Sequence, residues 1–265
     1  MKAKKVLRFM NLIFNHAKKI LSLSFSIAKA RFGMRNEGSY LGIFWYLLEP
    51  LSFFAILLFL GGAISNASIE KYPLYLFLGL IMFNFFLSAT SSATDIISSN
   101  AGYIKSFKTD SEMFVVANTM QFVFSHIFEL IIFVFFIFIF KSNPVLILAY
   151  PVIFFFFFLF VLGVSFILAT IGVYVVDLKN IWQVAGRFLF FATPIFYLIP
   201  KNTWLFSVSH FNPLFHYISI ARDIIIYNNL PVFYGMLIMA TMSICCFLFG
   251  VFVFQKNKNK FAEKL

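Results

Sequence analysis

Residues 29–50 read KARFGMRNEGSYLGIFWYLLEP, and they join two very different parts of the chain. Upstream lies a basic arm, and downstream of Leu41 an apolar run begins that continues after Pro50 as LSFFAILLFLGGAI. Lys and Arg gather on the cytoplasmic flank of membrane spans, because positively charged loops are retained on that side. The junction therefore predicts a cytoplasmic N-terminus followed directly by a transmembrane helix.

The composition is that of an integral membrane protein. Hydrophobic residues make up 62% of the 265 residues, charged residues only 12%, and the mean hydropathy is +0.92. A soluble domain carries about a quarter charged residues, so this chain cannot cover itself with a polar surface. Each crossing takes about 20 apolar residues, which leaves room for about six helices and short loops.

Apolar runs along the chain predict an all-α domain, residues 1–265, with six transmembrane helices. The runs cover about 41–64, 73–93, 113–140, 144–176, 181–199 and 231–254. The fourth is longer than a bilayer requires, so it should tilt, or bend near Pro151 or Gly163. Residues 201–230 are too apolar for a solvated loop, and we interpret them as a pair of re-entrant helices between spans five and six.

The N-terminal arm, residues 1–36, has the pattern of an amphipathic helix. Lys18, Ser22 and Lys29 recur on one face, and Ile20 and Leu21 belong to the opposite, apolar face. Such a helix is suited to the cytoplasmic surface of a membrane. A presequence for organelle import is the alternative, and the spans that follow directly favour the interfacial helix.

Basic residues also predict the sidedness of the protein. Nine of the 21 Lys and Arg lie in residues 1–35 and four more in 256–264, so both termini are predicted to be cytoplasmic. The basic residues that this topology leaves outside are Lys71, Lys141, Lys201 and Arg222. A nucleic-acid partner is the competing explanation for basic tails, and we reject it because such tails beside apolar spans are ordinary topology signals.

Sequence motifs for catalysis and nucleotide binding are missing. The chain contains no GxxxxGK[ST] phosphate-binding loop and no GxSxG nucleophile motif. Its four histidines form neither HExxH nor HxxxH, and the chain offers no carboxylate cluster for a metal. We therefore expect no catalytic residue, no cofactor and no metal in this chain.

One ionisable pair falls inside a predicted span. His126 and Glu129 are three residues apart near the middle of the third span, so they share a helix face. A proton relay or a substrate contact is the functional interpretation. A satisfied polar contact with a neighbouring helix or a second subunit is the alternative, which we favour.

Aromatic residues form two groups near the predicted membrane interfaces. One group contains Tyr40, Trp45 and Tyr46, and the other contains Tyr197, Trp204 and Tyr217. Aromatic side chains at such depths are either interfacial anchors or the lining of a channel on which sugar rings stack. Anchors are the more common case.

Several segments, in order along the chain, carry a family pattern. They are Arg31-Phe32, Tyr40-Leu41-Gly42, Trp45 and Pro50 at the start of the first span; SNAGYIKSF at 99–107; DLKNIWQ at 177–183; FATPIFY at 191–197; FNPLFHYISIARD at 211–223; and the basic tail QKNKNKFAEKL. Together they resemble the ABC-2 type permeases that export polysaccharides. These are the membrane subunits of capsule, O-antigen and teichoic acid exporters, and O-antigen export belongs to lipopolysaccharide biosynthesis.

The resemblance implies a transporter permease of the cytoplasmic (inner) membrane. Two copies would pair as a homodimer around a channel, and two separate ABC ATPase subunits would bind ATP and Mg²⁺ below it. Residues 94–112 would hold a cytoplasmic coupling helix that docks into the ATPase. The residues implicated in that coupling are Asn100, Tyr103, Lys105 and Phe107.

The resemblance also implies the substrate, a polysaccharide or polyprenyl-linked glycan. Arg31 and Arg35 are candidates to contact membrane lipid or polyprenyl phosphate headgroups, with topology signalling as the alternative. Two other functions stay open at this point. One is an ABC-2 permease for a drug or a lipid, and the other is a membrane-embedded glycosyl- or acyltransferase.

Overall fold

The computed structural model describes residues 2–34, 40, 42–63, 69–107, 110–200, 202–229 and 233–265, and it describes no side chains for 2–17, Ile43, Tyr46, 61–63 and Phe107. Within these ranges every regular element is helical. The predicted all-α class is therefore confirmed for the part of the chain that the structure describes.

Eleven α-helices and four short 3₁₀ segments are present in the described ranges. The helices are α1 (Lys2–Met34), α2 (Trp45–Ala63), α3 (Tyr72–Ala93), α4 (Ala101–Phe107), α5 (Glu112–Ile139), α6 (Tyr150–Gly172), α7 (Leu178–Ala192), α8 (Trp204–Ser209), α9 (Pro213–Ile225), α10 (Phe233–Asn257) and α11 (Phe261–Lys264). The 3₁₀ segments are Gly42–Phe44, Ser98–Asn100, Pro144–Ala149 and Lys258–Lys260.

Four helical stretches of the described chain are long and apolar enough to cross a membrane. They are Tyr72–Ala93, Glu112–Ile139, Pro144–Gly172 and Phe233–Lys264. These correspond to predicted spans two, three, four and six, and α2 adds a shorter apolar helix at Leu47–Leu60. The protein is thus a multi-pass membrane protein.

The predicted fifth span has the wrong helix bounds. Instead of covering 181–199, α7 begins at Leu178 and ends at Ala192. Thr193 is extended, with φ −101° and ψ 128°, because a residue that precedes proline, here Pro194, is pushed out of the α region. Fifteen residues extend about 22 Å, which is less than the thickness of a bilayer core.

The long fourth run changes helix type at one of the two positions where a bend was predicted. A 3₁₀ helix covers Pro144–Ala149, and α6 begins at Tyr150, directly before Pro151. Gly163 instead lies within α6 and serves packing. A Cβ atom there would lie 2.6 Å from the carbonyl oxygen of Cys246 on α10, so the two helix backbones touch.

Helix α3 lies at the centre of the protein. Its residues Leu74–Phe83 are buried, and it packs against α2, α5, α6, α7 and α9. Phe77 is fully buried and contacts Phe54 of α2 and Phe136 of α5, each at 5.1 Å between ring centroids. Phenylalanine therefore supplies core packing here, while other phenylalanines, such as Phe59, are exposed on the surface.

Helix α1 packs against α5 through a narrow stripe. Ser24 Oγ donates a 3.1 Å hydrogen bond to the carbonyl oxygen of Met113, and Ala28, one turn later, is fully buried. Phe32 stacks on Phe128 at 5.9 Å. Leu21, from the predicted apolar face, is exposed, so the buried stripe is offset from the face that the hydrophobic pattern indicated.

Candidate functional site

Four segments meet on one face of the protein, which we call the α4 face: residues 94–107, the start of α5 at 112–116, the C-terminal segment 254–265 and the end of α1. An apolar cluster holds them together. Its buried members include Ile96, Ile104, Met113, Phe254 and Phe261. Ile104 anchors α4 in this cluster, and Phe261 of α11 packs edge-on against Phe254 at 5.2 Å.

A polar contact ties α1 to this face. The Arg31 guanidinium donates from Nη2 to Oδ1 of Asn100 at 2.8 Å. Asn100 is buried, and its Nδ2 donates to the carbonyl oxygen of Ile96 at 2.6 Å. Burial lowers the pKa of Arg31 from its ordinary value, yet an arginine stays charged at any physiological pH. Arg31, a candidate headgroup contact, and Asn100, a candidate coupling residue, thus bond to each other.

The outward side of α4 is polar and aromatic. Tyr103 is 61% exposed while its ring still lies 6.5 Å from that of Phe114, and Lys105 is exposed beside it. The side chain of Phe107 and all of Arg35 lie outside the described residues. The two coupling candidates with described exposed side chains therefore point away from the core, where a partner can reach them.

A buried carboxylate connects α5 to the C-terminal segment. Glu112 Oε1 accepts hydrogen bonds from Gln255 Nε2 at 2.7 Å and from Lys258 Nζ at 2.6 Å. Its carboxylate lies in the first turn of α5, where the helix dipole favours negative charge. The basic tail, interpreted from sequence as a topology signal, also makes this structural contact.

The two aromatic groups have mixed environments. Tyr40 and Trp45 are exposed, and the side chain of Tyr46 lies outside the described residues. Trp204 is 73% exposed at the start of α8. The Tyr197 hydroxyl donates to the carbonyl oxygen of Phe191, across the turn that follows α7. These positions are compatible with either interfacial anchors or a channel lining.

Tyr217 does not belong with these aromatics. It is fully buried, and its ring packs against Phe157 at 5.1 Å and Phe160 at 5.3 Å. Its hydroxyl lies 2.6 Å from Ser243 Oγ on α10. Because both the ring and the hydroxyl are satisfied inside the helix bundle, the predicted place of Tyr217 at an interface or in a channel is wrong, and Tyr217 is a core residue.

Arg222 is a residue whose importance the sequence analysis missed. It is buried, with 3% of its surface exposed, although the charge pattern had counted it simply as an outside charge. Its Nη1 donates to the carbonyl oxygen of Pro194 and its Nη2 to that of Ile195, both at 2.7 Å. Nε and Nη2 donate to the carbonyl oxygen of Tyr75 at 3.1 and 2.9 Å.

Arg222 donates hydrogen bonds to the non-helical backbone that follows α7. The carbonyls of Pro194 and Ile195 have no helical partners beyond the break, and unsatisfied backbone groups are costly at membrane depth. The guanidinium also lies over the Tyr75 ring, 3.4 Å from its centroid. Gly79 makes room, since a Cβ there would lie 2.3 Å from Nη2. A lone arginine in the apolar segment 211–227 was the available sequence signal.

The intramembrane pair His126 and Glu129 is part of a three-residue network. His126 Nδ1 lies 3.1 Å from Glu129 Oε2, and Nε2 lies 2.6 Å from the hydroxyl of Tyr150 on α6. With Nδ1 as donor to the carboxylate, Nε2 accepts from the tyrosine. The favoured interpretation, a polar contact satisfied by a neighbouring helix, matches this geometry.

Comparison with known proteins places these features in a family. A model described as ABC-2 type transporter matches residues 25–226, a range that includes Arg31, Asn100 and Arg222. Two proteins of Klebsiella pneumoniae named O-antigen export system permease protein RfbA are 27% and 26% identical over 238 residues, 88% of this chain and 90% of each relative. A protein of the same name from Myxococcus xanthus is 23% identical over 251 residues, 92% of this chain and 95% of that relative. This chain belongs to the ABC-2 type transporter family.

Proposed function

We propose that this chain is the permease subunit of an ATP-driven exporter that moves a lipid-linked polysaccharide out across the cytoplasmic membrane. The observation that carries the proposal is the similarity to O-antigen export permeases over 88% or more of the chain. A similarity of that extent covers the coupling segment and the segment after α7 as well as the spans. A permease for a drug or a lipid is the alternative that the experiments below address.

The proposed topology has six crossings. Helices α2, α3, α5, α6 and α10 each cross once, and α7 crosses together with the broken segment 193–200. Helices α8 and α9 form the re-entrant pair. The four carbonyl contacts of Arg222 support this arrangement, because irregular backbone survives at membrane depth only where protein satisfies it. Both termini lie in the cytoplasm, as the distribution of Lys and Arg favours.

The α4 face is then the docking surface for the ABC ATPase that permeases of this family generally require. The partner subunit binds ATP and Mg²⁺, and its movement pushes on Tyr103 and Lys105 of α4. The Arg31–Asn100 contact passes the displacement to α1, and the Ser24–Met113 contact passes it to α5. The chain itself supplies the path for the substrate and the surface on which the force acts.

Two copies of the chain form the transport unit in this proposal, with one ATPase under each. The outward side of α2 supports a partner at that position. Ile56 and Phe59 on α2 are exposed in the single chain, and we assign this side of α2 to the second copy.

The test is export in cells that carry the permease gene together with genes for an ABC ATPase and for the glycosyltransferases that make the polymer. Deletion of the permease gene is expected to abolish surface polysaccharide and leave polymer inside, and the intact gene should restore it. Normal surface polymer in the deletion strain would refute the proposal. Purified permease without its ATPase should not turn over a sugar donor, and turnover would favour a transferase instead.

A further inference from the structure

A polar cavity of about 240 Å³ lies between α2, α3 and α5. Its polar lining comes from all three helices: Glu49, Asn84, Ser88, Ser125, His126 and Glu129. The rings of Phe53, Phe85 and Phe122 complete the wall. Glu49 is exposed at the edge of the cavity, whereas the other polar side chains are buried or half-buried between apolar helices. Polar groups at such depth are expensive to keep there, which makes the cavity a candidate for function.

The cavity lies near the middle of α5 and extends toward the α4 face. Glu49 lies just after the first turn of α2, about 6 Å along the helix from Trp45. Asn84 lies about 14 Å before the end of α3, and Ser125 lies about 20 Å after the start of α5. The end of α3 and the start of α5 both border the α4 face, so the cavity is within reach of that side.

One polar group that lines the cavity has no hydrogen-bond partner among the described residues. Ser125 Oγ is buried and makes no hydrogen bond within the described part of the protein. Unpaired buried hydroxyls are uncommon, since each one loses its hydrogen bonds to water. Ser125 also lines the cavity, so a ligand bound there can complete its hydrogen bonding.

The charges around the cavity decide which ligands fit. Glu49 and Glu129 are carboxylates, and none of the described lining residues is Lys or Arg. Carboxylates accept hydrogen bonds from hydroxyl groups and repel phosphates. Aromatic rings beside such acceptors offer apolar faces against the C–H faces of a ring. The site is therefore suited to an uncharged, hydroxyl-rich group.

We propose that this cavity binds one uncharged sugar unit of the glycan as it enters the transport path from the α4 side. This inference rests on the proposed function and names a contact site for its substrate. Glu129 and Ser125 hydrogen-bond sugar hydroxyls, and the aromatic wall packs against the ring. His126 is a positioning residue, because its Nδ1 holds one carboxylate oxygen of Glu129 and Tyr150 holds the imidazole in turn.

The first test fills the cavity in the complete permease–ATPase complex. Ser125→Phe places a ring inside it, and Ile127→Phe places the same ring on an exposed position of the same helix as a control. We expect surface polymer to fall at least about tenfold for Ser125→Phe relative to Ile127→Phe at equal amounts in the membrane. Equal export by both variants would overturn the cavity proposal and leave the proposed function standing. No export by the unmodified complex would instead overturn the proposed function.

The second test does not depend on the folding of a bulky variant. A single cysteine replaces Ser88 in a Cys245→Ser, Cys246→Ser background, and its labelling by a water-soluble methanethiosulfonate is timed. Oligosaccharide released from the exported polymer by mild acid should slow labelling about tenfold, while sodium chloride and sodium pyrophosphate should not. An ion site, revealed by protection from either salt but not from the oligosaccharide, would overturn the proposal. So would a cysteine that does not label, or that labels at the same rate with every addition.

Discussion

Arg31 on α1 and Asn100 directly before α4 are joined by a 2.8 Å hydrogen bond, although 69 residues separate them in sequence. Asn100 is buried and also donates to the carbonyl oxygen of Ile96, so the amide is held from both sides. A charge-assisted bond of this kind is directional and connects two helices that otherwise share few contacts. We regard it as the link through which α4 moves α1.

The first prediction concerns this link. Arg31→Ala and Asn100→Ala should each reduce export, and the double variant should lose little more than either single variant, because both remove one interaction. The coupling energy between the two substitutions, measured on the free energy of unfolding, should be about 1 kcal/mol, somewhat below the usual range for a hydrogen bond to a charged group, since Arg31 is only half-buried. Lys29→Ala, an exposed charge on the same helix, is the control and should export normally. Losses that simply add in the double variant would mean that the two residues act independently.

The second prediction separates two sides of α4. Tyr103→Ala should weaken binding of the ATPase and lower export while thermal stability stays within about 0.5 kcal/mol, because Tyr103 is exposed. Ile104→Ala should lower stability by about 2 kcal/mol, because it removes a buried side chain. Co-purification of the ATPase and thermal unfolding in detergent measure the two effects. A stability loss for Tyr103→Ala as large as that for Ile104→Ala would place Tyr103 in the core instead.

The third prediction concerns the buried arginine. Arg222→Met should destabilise the protein by about 3 kcal/mol, because the carbonyl of Ile195 loses its donor, and the carbonyls of Tyr75 and Pro194 lose the guanidinium while keeping a helical partner and the Tyr75 hydroxyl, respectively. Arg222→Lys should recover only a small part, since an ammonium cannot reproduce the planar fork. Thermal unfolding of the purified protein is the measurement.

A matched pair of glycine variants tests the same site by changing the space around the Arg222 side chain instead of the side chain itself. In Gly79→Ala the new methyl group would collide with the Arg222 guanidinium, and the loss should approach that of Arg222→Met. Gly102→Ala, where the added Cβ meets nothing within 4 Å, should be neutral for stability. Tolerance of Gly79→Ala without loss of stability or export would contradict the role given to Arg222.

The fourth prediction concerns the contact between α6 and α10. Gly250→Ala would place a Cβ 2.3 Å from the carbonyl oxygen of Gly163, so the helices must separate. We expect a loss of about 1–3 kcal/mol, the usual cost of overpacking. Gly235→Ala on the same helix meets only Ile220, at 3.9 Å, and should cost little. Equal stability of the two variants would show that the close approach of α6 and α10 is dispensable.

The sequence predicted the helical class, the four apolar stretches that qualify as spans in the described chain, and the transporter family. The helical class and the spans follow from long apolar runs, and the family follows from motifs distributed along the whole chain. The end of α7 before Pro194 was harder to predict from sequence. The apolar run continues through FYLI at 196–199, so hydropathy gives no sign that the helix ends at Ala192. The local proline rule was the signal available.

The residues of the α4 face could be predicted only in part from the sequence. Asn100, Tyr103 and Lys105 came from the resemblance, whereas the partner of Asn100 required the packing of α1 against α5. Arg222 and Tyr217 were misplaced for a shared reason. The guanidinium of Arg222 and the hydroxyl of Tyr217 each end a side chain in a short apolar segment. Such a group can face water or bond to a buried partner, and only the tertiary structure shows which of these environments it has. For the same reason, the cavity around Ser125 has no sequence signature, since three separate helices build it.

Coupling of α4 to export through Arg31 is tested most directly by the distribution of polymer across the cytoplasmic membrane in a strain that carries Arg31→Ala, with Lys29→Ala as the control. Fractionated cells are assayed for polysaccharide inside and on the surface, at equal amounts of permease and of ATPase. We expect polymer to accumulate inside the Arg31→Ala strain and to be depleted on its surface, while the control strain resembles the parent. Equal surface polymer in both strains would contradict this coupling.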